Sequence, residues 1–211
     1  IIPTRPYTED LLGLPVINIR YVPLSNTFNA MVKRLMDIVG SIICIVIFSP
    51  VMLLSAILVK ITSSGPLIFK QERVGLHNEK FMMYKFRTMY VQTEEEEKKG
   101  WTQKNDPRVT KVGGFLRKTS LDEFPQLFNV LKGDMSVVGP RPHMLKHTKE
   151  YSQLINKFMV RHFVKPGITG WAQVTGYRGE TKELWQMEGR VSRDIWYIEH
   201  WTFILDLYII Y

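Results

Sequence analysis

The stretch "KRLMDIVGSIICIVIFSPVMLLSAILVKITSSGP", Lys33–Pro66, decides what kind of fold this chain can have. From Ile38 to Val59 no residue carries a charge, and a run of that length matches a membrane-crossing helix. A buried core helix of the same length is the alternative. Two features complicate a simple span. Pro50, after Ser49 near the centre of the run, removes a backbone donor and breaks the hydrogen-bond ladder. Lys33 and Arg34 precede the run and Lys60 follows it, so the positive-inside rule holds both ends on one side. A helix–break–helix that enters the bilayer and returns at Ser49–Pro50 meets both conditions. A proline-kinked span remains the competing reading on charge alone. Ser49 is suited to satisfy the carbonyl that the proline frees.

The surroundings of this run narrow the class. The chain has 211 residues, a formal net charge of +8 and a pI of about 9.5, which points to acidic partners: phosphates, nucleic acid or an anionic membrane surface. Its one cysteine, Cys44, lies inside the apolar run, which excludes an internal disulfide framework and a cysteine-based metal site. Residues 1–30 are rich in Pro, Asn and short apolar pieces, and "LLGLPVINIRYVPL" reads as a strand and connector. A chain that starts at Ile1 and ends on "ILDLYIIY" is expected to be part of a longer protein.

Downstream, "PLIFKQERVGLHNEKFMMYKFRTM" reads as two strands around a turn holding Gly75, His77 and Asn78. Period 2 sets Lys85 and Arg87 on one face of the second strand, where they are either solvated or aimed at phosphate. "TEEEEKKG", Thr93–Gly100, is a charge run to which no function is assigned. In "VLKGDMSVVGPRP", Pro140 and Pro142 stiffen the loop carrying Arg141, as an exposed turn or as a rigid mount for phosphate. His143 and His147 have an i, i+4 spacing but no H-E-x-x-H pattern, which favours a helix surface over a metal site. "VKPGITGWAQVTGYRGE" offers Gly167, Gly170, Gly176 and Gly179 for turns or close approach to a ligand, with Arg178 among them. "RDIWYIEHWTFILDLYIIY" is helical in pattern, and its Trp and Tyr content suits either a core or a membrane–water interface.

The chemistry concentrates in "TSLDEFPQLF", Thr119–Phe128, where Asp122 and Glu123 follow the basic pair Arg117 and Lys118. Ser120 and Glu123 have capping-box spacing, so a plain helix start is the simplest reading. A carboxylate pair among cations can also act on phosphorus. No GxxxxGK[ST], GxGxxG or D-x-D motif is present.

Taken in order, "KRLMDIVGS", the Ser49–Pro50 pair, "GPLIFKQERVG", "YKFRTM", "NDPRVTKVGGFLRKTSLDEFPQLFNVLKGDMSVVGPRPH" and "VKPGITGWAQVTGYRGET" resemble the bacterial sugar transferases. These are monotopic polyprenyl-phosphate phosphoglycosyl transferases, and the resemblance covers roughly residues 31–211. "RPHMLKHTKEY" and "GYRGET" look most like the undecaprenyl-phosphate glucose-1-phosphate transferases. The resemblance implies a mostly helical α+β fold with a small β-hairpin or sheet, a re-entrant helix broken at Ser49–Pro50, and interfacial amphipathic helices. It divides the chain into a preceding-domain tail (1–30), the re-entrant helix (31–62) and a catalytic domain on the membrane surface (63–211). It implies transfer of a hexose phosphate, glucose favoured, from a UDP-sugar to undecaprenyl phosphate, releasing UMP at the cytoplasmic face of a bacterial inner membrane, as the first membrane step of exopolysaccharide, capsule or O-antigen synthesis.

On that reading Asp122, ionised at neutral pH without help, is the nucleophile that forms an acyl phosphate. Glu123, with Asp122, holds Mg²⁺ against the diphosphate. Lys85, Arg87, Arg117, Arg141 and Arg178 are the candidates for binding phosphate. Membrane lipid is an expected partner, a homodimer is compatible, and nucleic acid is not expected. The rivals are a basic membrane-associated nucleic-acid-binding protein, for which no groove-reading motif is present, and an inactive scaffold, against which the intact Asp122–Glu123 pair counts.

Overall fold

The amide side chain of Asn26 starts the long helix α1, Thr27–Thr62, its Oδ1 accepting from Phe28 N at 2.9 Å and Asn29 N at 3.4 Å. The computed structural model describes residues 7–11, 14–18, 21–91, 106–155, 157–179 and 183–211; the Thr93–Gly100 charge run lies outside them. Helix α1 is long and apolar enough to cross a membrane. Its burial is inverted relative to a soluble core helix. The residues packed inward are Lys33, Asp37, Ser41, Ser55 and Val59, mostly polar and repeating at i, i+4. Val46, Ile47, Leu53, Leu54 and Ile61 face outward and are exposed. Water does not favour that arrangement, because a helix buries its apolar face when it can; a bilayer does.

Two anchors tie α1 to the rest of the chain. Near its start, Lys33 Nζ reaches Asp206 at 2.6 Å and donates to Val138 O at 3.0 Å. Asp37 Oδ1 accepts from Ser136 Oγ at 2.8 Å and Val137 N at 2.9 Å. Near its end, Val59 is buried with Phe86 and Leu116, with Met52 and Ala56 packed beside them. The expected interruption at Ser49–Pro50 is not a gap in the helix: α1 is helical throughout, and Ser49 Oγ donates to Val46 O at 2.8 Å. All six residues from Val46 to Val51 are exposed, however. The helix is therefore packed on both sides of the proline and bare around it, except that the Phe48 ring lies 5.1 Å from that of Phe124.

The β structure consists of three two-stranded sheets among the described residues, where one small hairpin or sheet was expected. β1 (Tyr7–Leu11) and β2 (Leu14–Asn18) pair antiparallel; β2 lies in the stretch read as strand and connector, whereas β1 precedes it apart from Leu11. β3 (Ile68–Val74) and β4 (Lys80–Phe86) form the expected hairpin, with His77 and Asn78 at φ of 51° and 65° in its turn. β5 (Ser136–Val138) and β6 (Gly167–Thr169) pair in parallel. Strands of three residues carry too little alternation to be read from sequence. Gly167 serves this pairing rather than a ligand: a Cβ there would lie 2.1 Å from Gly139 N.

The helices after α1 are α2 (Lys111–Thr119), α3 (Gln126–Lys132), α4 (Leu145–Leu154), the short α5 (Trp171–Val174), α6 (Leu184–His200) and α7 (Phe203–Ile210). The C-terminal aromatic stretch serves the core on one side and is exposed on the other, as Trp185 upstream of it also is. Tyr197, Ile198, Trp201 and Ile209 form a buried cluster with Val138 and Val164, whereas Trp185, Ile204 and Tyr208 are exposed.

Candidate active site

The Asp122–Glu123 pair lies on a turn between two helices. Thr110 caps α2 through its Oγ1, which accepts from Gly113 N at 2.8 Å. The helix ends at Ser120, in the left-handed region at φ 60°, ψ 15°, and a single 3₁₀ turn, Leu121–Glu123, leads to Pro125 at the start of α3. The capping box expected from Ser120 and Glu123 does not form. Ser120 makes no side-chain cap, and its Oγ accepts instead from Arg178 Nη2 at 2.7 Å. The Glu123 side chain is drawn elsewhere, because two cations from distant segments offer stronger charge-assisted bonds than a backbone N–H.

Those cations are Lys85 and Arg141. Lys85 Nζ, from β4, stands 2.8 Å from Glu123 Oε1. Arg141, from the loop after β5, reaches Oε1 with Nη2 at 2.5 Å and Oε2 with Nη1 at 3.2 Å. Burial opposes ionisation of Glu123, but Arg141 and then Lys85 outweigh it and hold the carboxyl at about 2. Asp122 is 7% exposed, and among the described residues no side chain makes an ion pair or hydrogen bond with its carboxylate. Burial pushes it above its ordinary value, Lys85 pulls it back, and Glu123 adds to the rise. Adjacent carboxylates are thus in opposite states: Glu123 is locked as an anion between cations, and Asp122 is more basic, with a backbone hydrogen bond but no side-chain partner among the described residues.

The other candidate cations divide into those the fold brings to the pair and one it does not. Arg117 donates from Nε to Thr88 Oγ1 at 2.7 Å, and the Asp122 charge acts on it. Arg178 reaches Ser120, two residues from Asp122. Arg87 follows the last residue of β4, and its backbone N still donates to Leu67 O at 3.0 Å across the hairpin. Its Nη1 and Nη2 donate to Ser64 O and Ser63 O, each at 2.7 Å, closing the C-terminal end of α1. Arg87, expected beside Lys85 among the phosphate-binding candidates, has its guanidinium bonded to the end of α1, and among the described residues it makes no bond to Asp122 or Glu123.

A buried ionic layer on α6 supports the loops that carry Arg141 and Arg178. Arg161 Nη2 reaches Asp194 Oδ2 at 2.6 Å and also donates to Arg141 O at 3.0 Å; its Nη1 lies 2.6 Å from His143 Nδ1. Arg190 donates to Tyr177 O at 2.9 Å and Gly179 O at 2.8 Å, closing the loop in which Gly176 and Gly179 take φ of 94° and 104°. Arg161, Arg190 and Asp194 were not among the residues read from sequence. A signal for two of them exists: Arg190 and Asp194 fall on the same helical stripe as Met187, Val191, Ile195 and Ile198, and a charge on an apolar stripe is paired or functional. His143 is buried ahead of α4 rather than on a helix surface, and the His147 side chain lies outside the described residues.

Among the described residues no group of three or more His, Cys, Asp or Glu side chains could hold a metal ion. A magnesium site here would use the two carboxylates of the pair with oxygen atoms of a substrate, a common arrangement for this ion. Glu123 Oε2, with its 3.2 Å bond from Arg141, keeps lone-pair capacity for that purpose.

The family model described as bacterial sugar transferase matches residues 28–211. A UDP-glucose:undecaprenyl-phosphate glucose-1-phosphate transferase of Klebsiella pneumoniae is 51% identical over 204 residues, covering 97% of this chain and 43% of that protein. A protein of the same name from Escherichia coli is 49% identical over 203 residues, with 96% and 43% covered. A UDP-N-acetylgalactosamine-undecaprenyl-phosphate N-acetylgalactosaminephosphotransferase of Aeromonas hydrophila is 43% identical over 189 residues, with 89% and 44% covered. The chain spans less than half the length of these relatives.

Proposed function

Because the chain belongs to the bacterial sugar transferase family, we propose that it moves a sugar phosphate from a UDP-sugar to undecaprenyl phosphate, releasing UMP, through a covalent bond to Asp122. The observation that carries this reading is the unequal carboxylate pair. Glu123 is paired with Lys85 and Arg141, whereas Asp122 is buried beside them with no side-chain partner among the described residues. An unpaired carboxylate of raised basicity, in a field of cations, is suited to attack phosphorus.

In the first step an Asp122 oxygen bonds to the sugar-bearing phosphorus and the bond to the UMP oxygen breaks. In the second, an oxygen of undecaprenyl phosphate bonds to the same phosphorus and Asp122 is released as a carboxylate. Lys85, Arg117, Arg141 and Arg178 supply positive charge for the diphosphate, preorganised by their bonds to Glu123, Thr88 and Ser120. Magnesium is the proposed cofactor, held by Glu123 and Asp122, and when bound it neutralises charge on the diphosphate. The donor's sugar is proposed as a hexose, with glucose ahead of an N-acetylated one on the names of the relatives.

The test is UMP release by the protein in lipid nanodiscs, given UDP-glucose and undecaprenyl phosphate. UMP formed only when both are present supports the transfer; none with any UDP-sugar overturns it. Glu123→Gln is expected to lower kcat/KM about 10²-fold, as for loss of one preorganised electrostatic group. EDTA is expected to abolish wild-type turnover, and activity that survives EDTA removes the metal from the proposal.

The membrane placement is also proposed: α1 enters the bilayer from the cytoplasmic side of a bacterial inner membrane and returns, bending at Ser49–Pro50. Both of its ends are bonded to the same body of protein, and Lys33 to Val59 would measure about 39 Å if straight, more than the hydrocarbon core of about 30 Å. A straight crossing would carry one anchor to the far side of the bilayer. The bare Val46–Val51 segment marks where the helix leaves the domain for lipid. The Phe48–Phe124 contact supports a carboxylate pair close to the membrane, where a lipid-borne phosphate arrives. Tags before Lys33 and after Lys60 are expected to report from the cytoplasm together, and reports from opposite faces would sink this placement.

A further inference from the structure

Arg73, in the "KQERVG" stretch of β3, has no role in the reading above. Its backbone is bridged to Met144, which follows Arg141 by one proline and one histidine, so the strand lies against the loop that carries Arg141. One end of its guanidinium is fixed, Nη2 donating to Gln71 Oε1 at 2.5 Å. Its Nε is buried and has no hydrogen-bond partner among the described residues.

A buried donor left unmade costs stability, and a second guanidinium beside it adds repulsion. Burial, then Arg141, lowers Arg73 to about 10, with Glu123 opposing. Glu123 cannot serve both arginines fully, since Arg141 and Lys85 already occupy it. Three cations, Arg73, Arg141 and Lys85, thus share the one Glu123 carboxylate, so this corner of the site is short of anionic charge. Two fixed guanidiniums and an unused N–H match the tetrahedral oxygens of a phosphate group.

We propose that Arg73 and Arg141 form a two-guanidinium clamp on a substrate phosphate, with Arg73 Nε donating to a phosphate oxygen. The proposal rests on the transferase reading and adds Arg73 to its substrate-binding residues. The phosphate could come from the nucleotide donor or from the lipid acceptor, which binding measurements can separate.

The experiment compares wild type, Arg73→Gln and Arg73→Lys in nanodiscs, with UDP, a short isoprenyl monophosphate and uridine as probes. In Arg73→Gln, affinity for at least one phosphate probe is expected to fall about 10-fold or more, as for loss of a hydrogen bond to a charged group, with uridine unchanged. Loss confined to UDP assigns the clamp to the donor; loss confined to the isoprenyl phosphate assigns it to the acceptor. Equal affinities in wild type and variant, or an equal fall for uridine, overturn the clamp. If Arg73→Gln does not fold, Arg73→Lys decides: it keeps the charge but lacks the Nε donor, and wild-type affinity for both phosphates overturns the proposal. A wild type that binds UDP no better than uridine and releases no UMP overturns the transferase reading as well. A wild type that releases UMP, with unchanged binding in the variants, overturns the clamp alone.

Discussion

Asp122→Asn protein, given UDP-glucose and undecaprenyl phosphate, is expected to release UMP on the order of 10³-fold more slowly than wild type or not at all. An amide has no anionic oxygen to offer phosphorus and cannot form an acyl phosphate. The substitution is nearly isosteric, and the carboxylate it removes makes no ion pair or side-chain hydrogen bond among the described residues, so the fold has little to lose. Thermal melting within a few degrees of wild type should accompany the loss of turnover. A donor labelled in the sugar-bearing phosphate, incubated without lipid acceptor, should leave its label on wild-type Asp122 and none on the variant. Turnover near the wild-type rate in Asp122→Asn would exclude the covalent route. Glu123 is the contrasting neighbour: its loss releases Lys85 and Arg141 from their shared partner, so a smaller rate effect comes with a measurable loss of stability.

Asp206→Ala is expected to destabilise the protein by about 3–5 kcal/mol, the usual consequence of removing one partner of a buried ion pair. Asp206 is fully buried and receives Lys33 Nζ at 2.6 Å, Tyr197 Oη at 2.8 Å and Trp201 Nε1 at 3.0 Å. Burial and then the Asp206 charge raise the Tyr197 phenol well above its ordinary value, so it stays a neutral donor. Without Asp206, Lys33 keeps the Val138 carbonyl and the more distant Asp37 at 3.6 Å, too little to offset its desolvation. The double variant Lys33→Met, Asp206→Leu should recover much of the loss, since no isolated charge remains buried. Denaturant unfolding in detergent measures both, and a loss below about 1 kcal/mol in Asp206→Ala would show that water or lipid reaches the pair. The same variant should loosen the start of α1, because Lys33 is the bond that joins it to α7.

Several features of the molecule were determined by the sequence alone because they are local. That the uncharged Ile38–Val59 run is long and apolar enough to cross a membrane needs no partner to be read, since hydropathy sums along the chain. The β3–β4 hairpin follows from alternation and from turn residues that tolerate positive φ. The adjacency of Asp122 and Glu123 is covalent. What the tertiary structure decided is the state of each of these parts. Lys85 and Arg141 converge on Glu123 from 38 and 18 residues away, and that convergence makes one carboxylate a fixed anion and leaves the other without a side-chain partner among the described residues. Arg87, two residues from Lys85, closes a helix end instead, because the carbonyls of Ser63 and Ser64 at the end of α1 are brought to it. The local S-x-x-E pattern lost to these distant partners, a charged donor being worth more to a buried carboxylate than a backbone N–H. The inward polar stripe of α1 was likewise invisible, since Lys33 and Asp37 turn inward because Asp206, Ser136 and Val138 are brought there by segments about a hundred residues or more downstream. Periodicity reports which residues share a face; the packing of remote segments decides what that face meets, and a buried charge takes its role from what it meets.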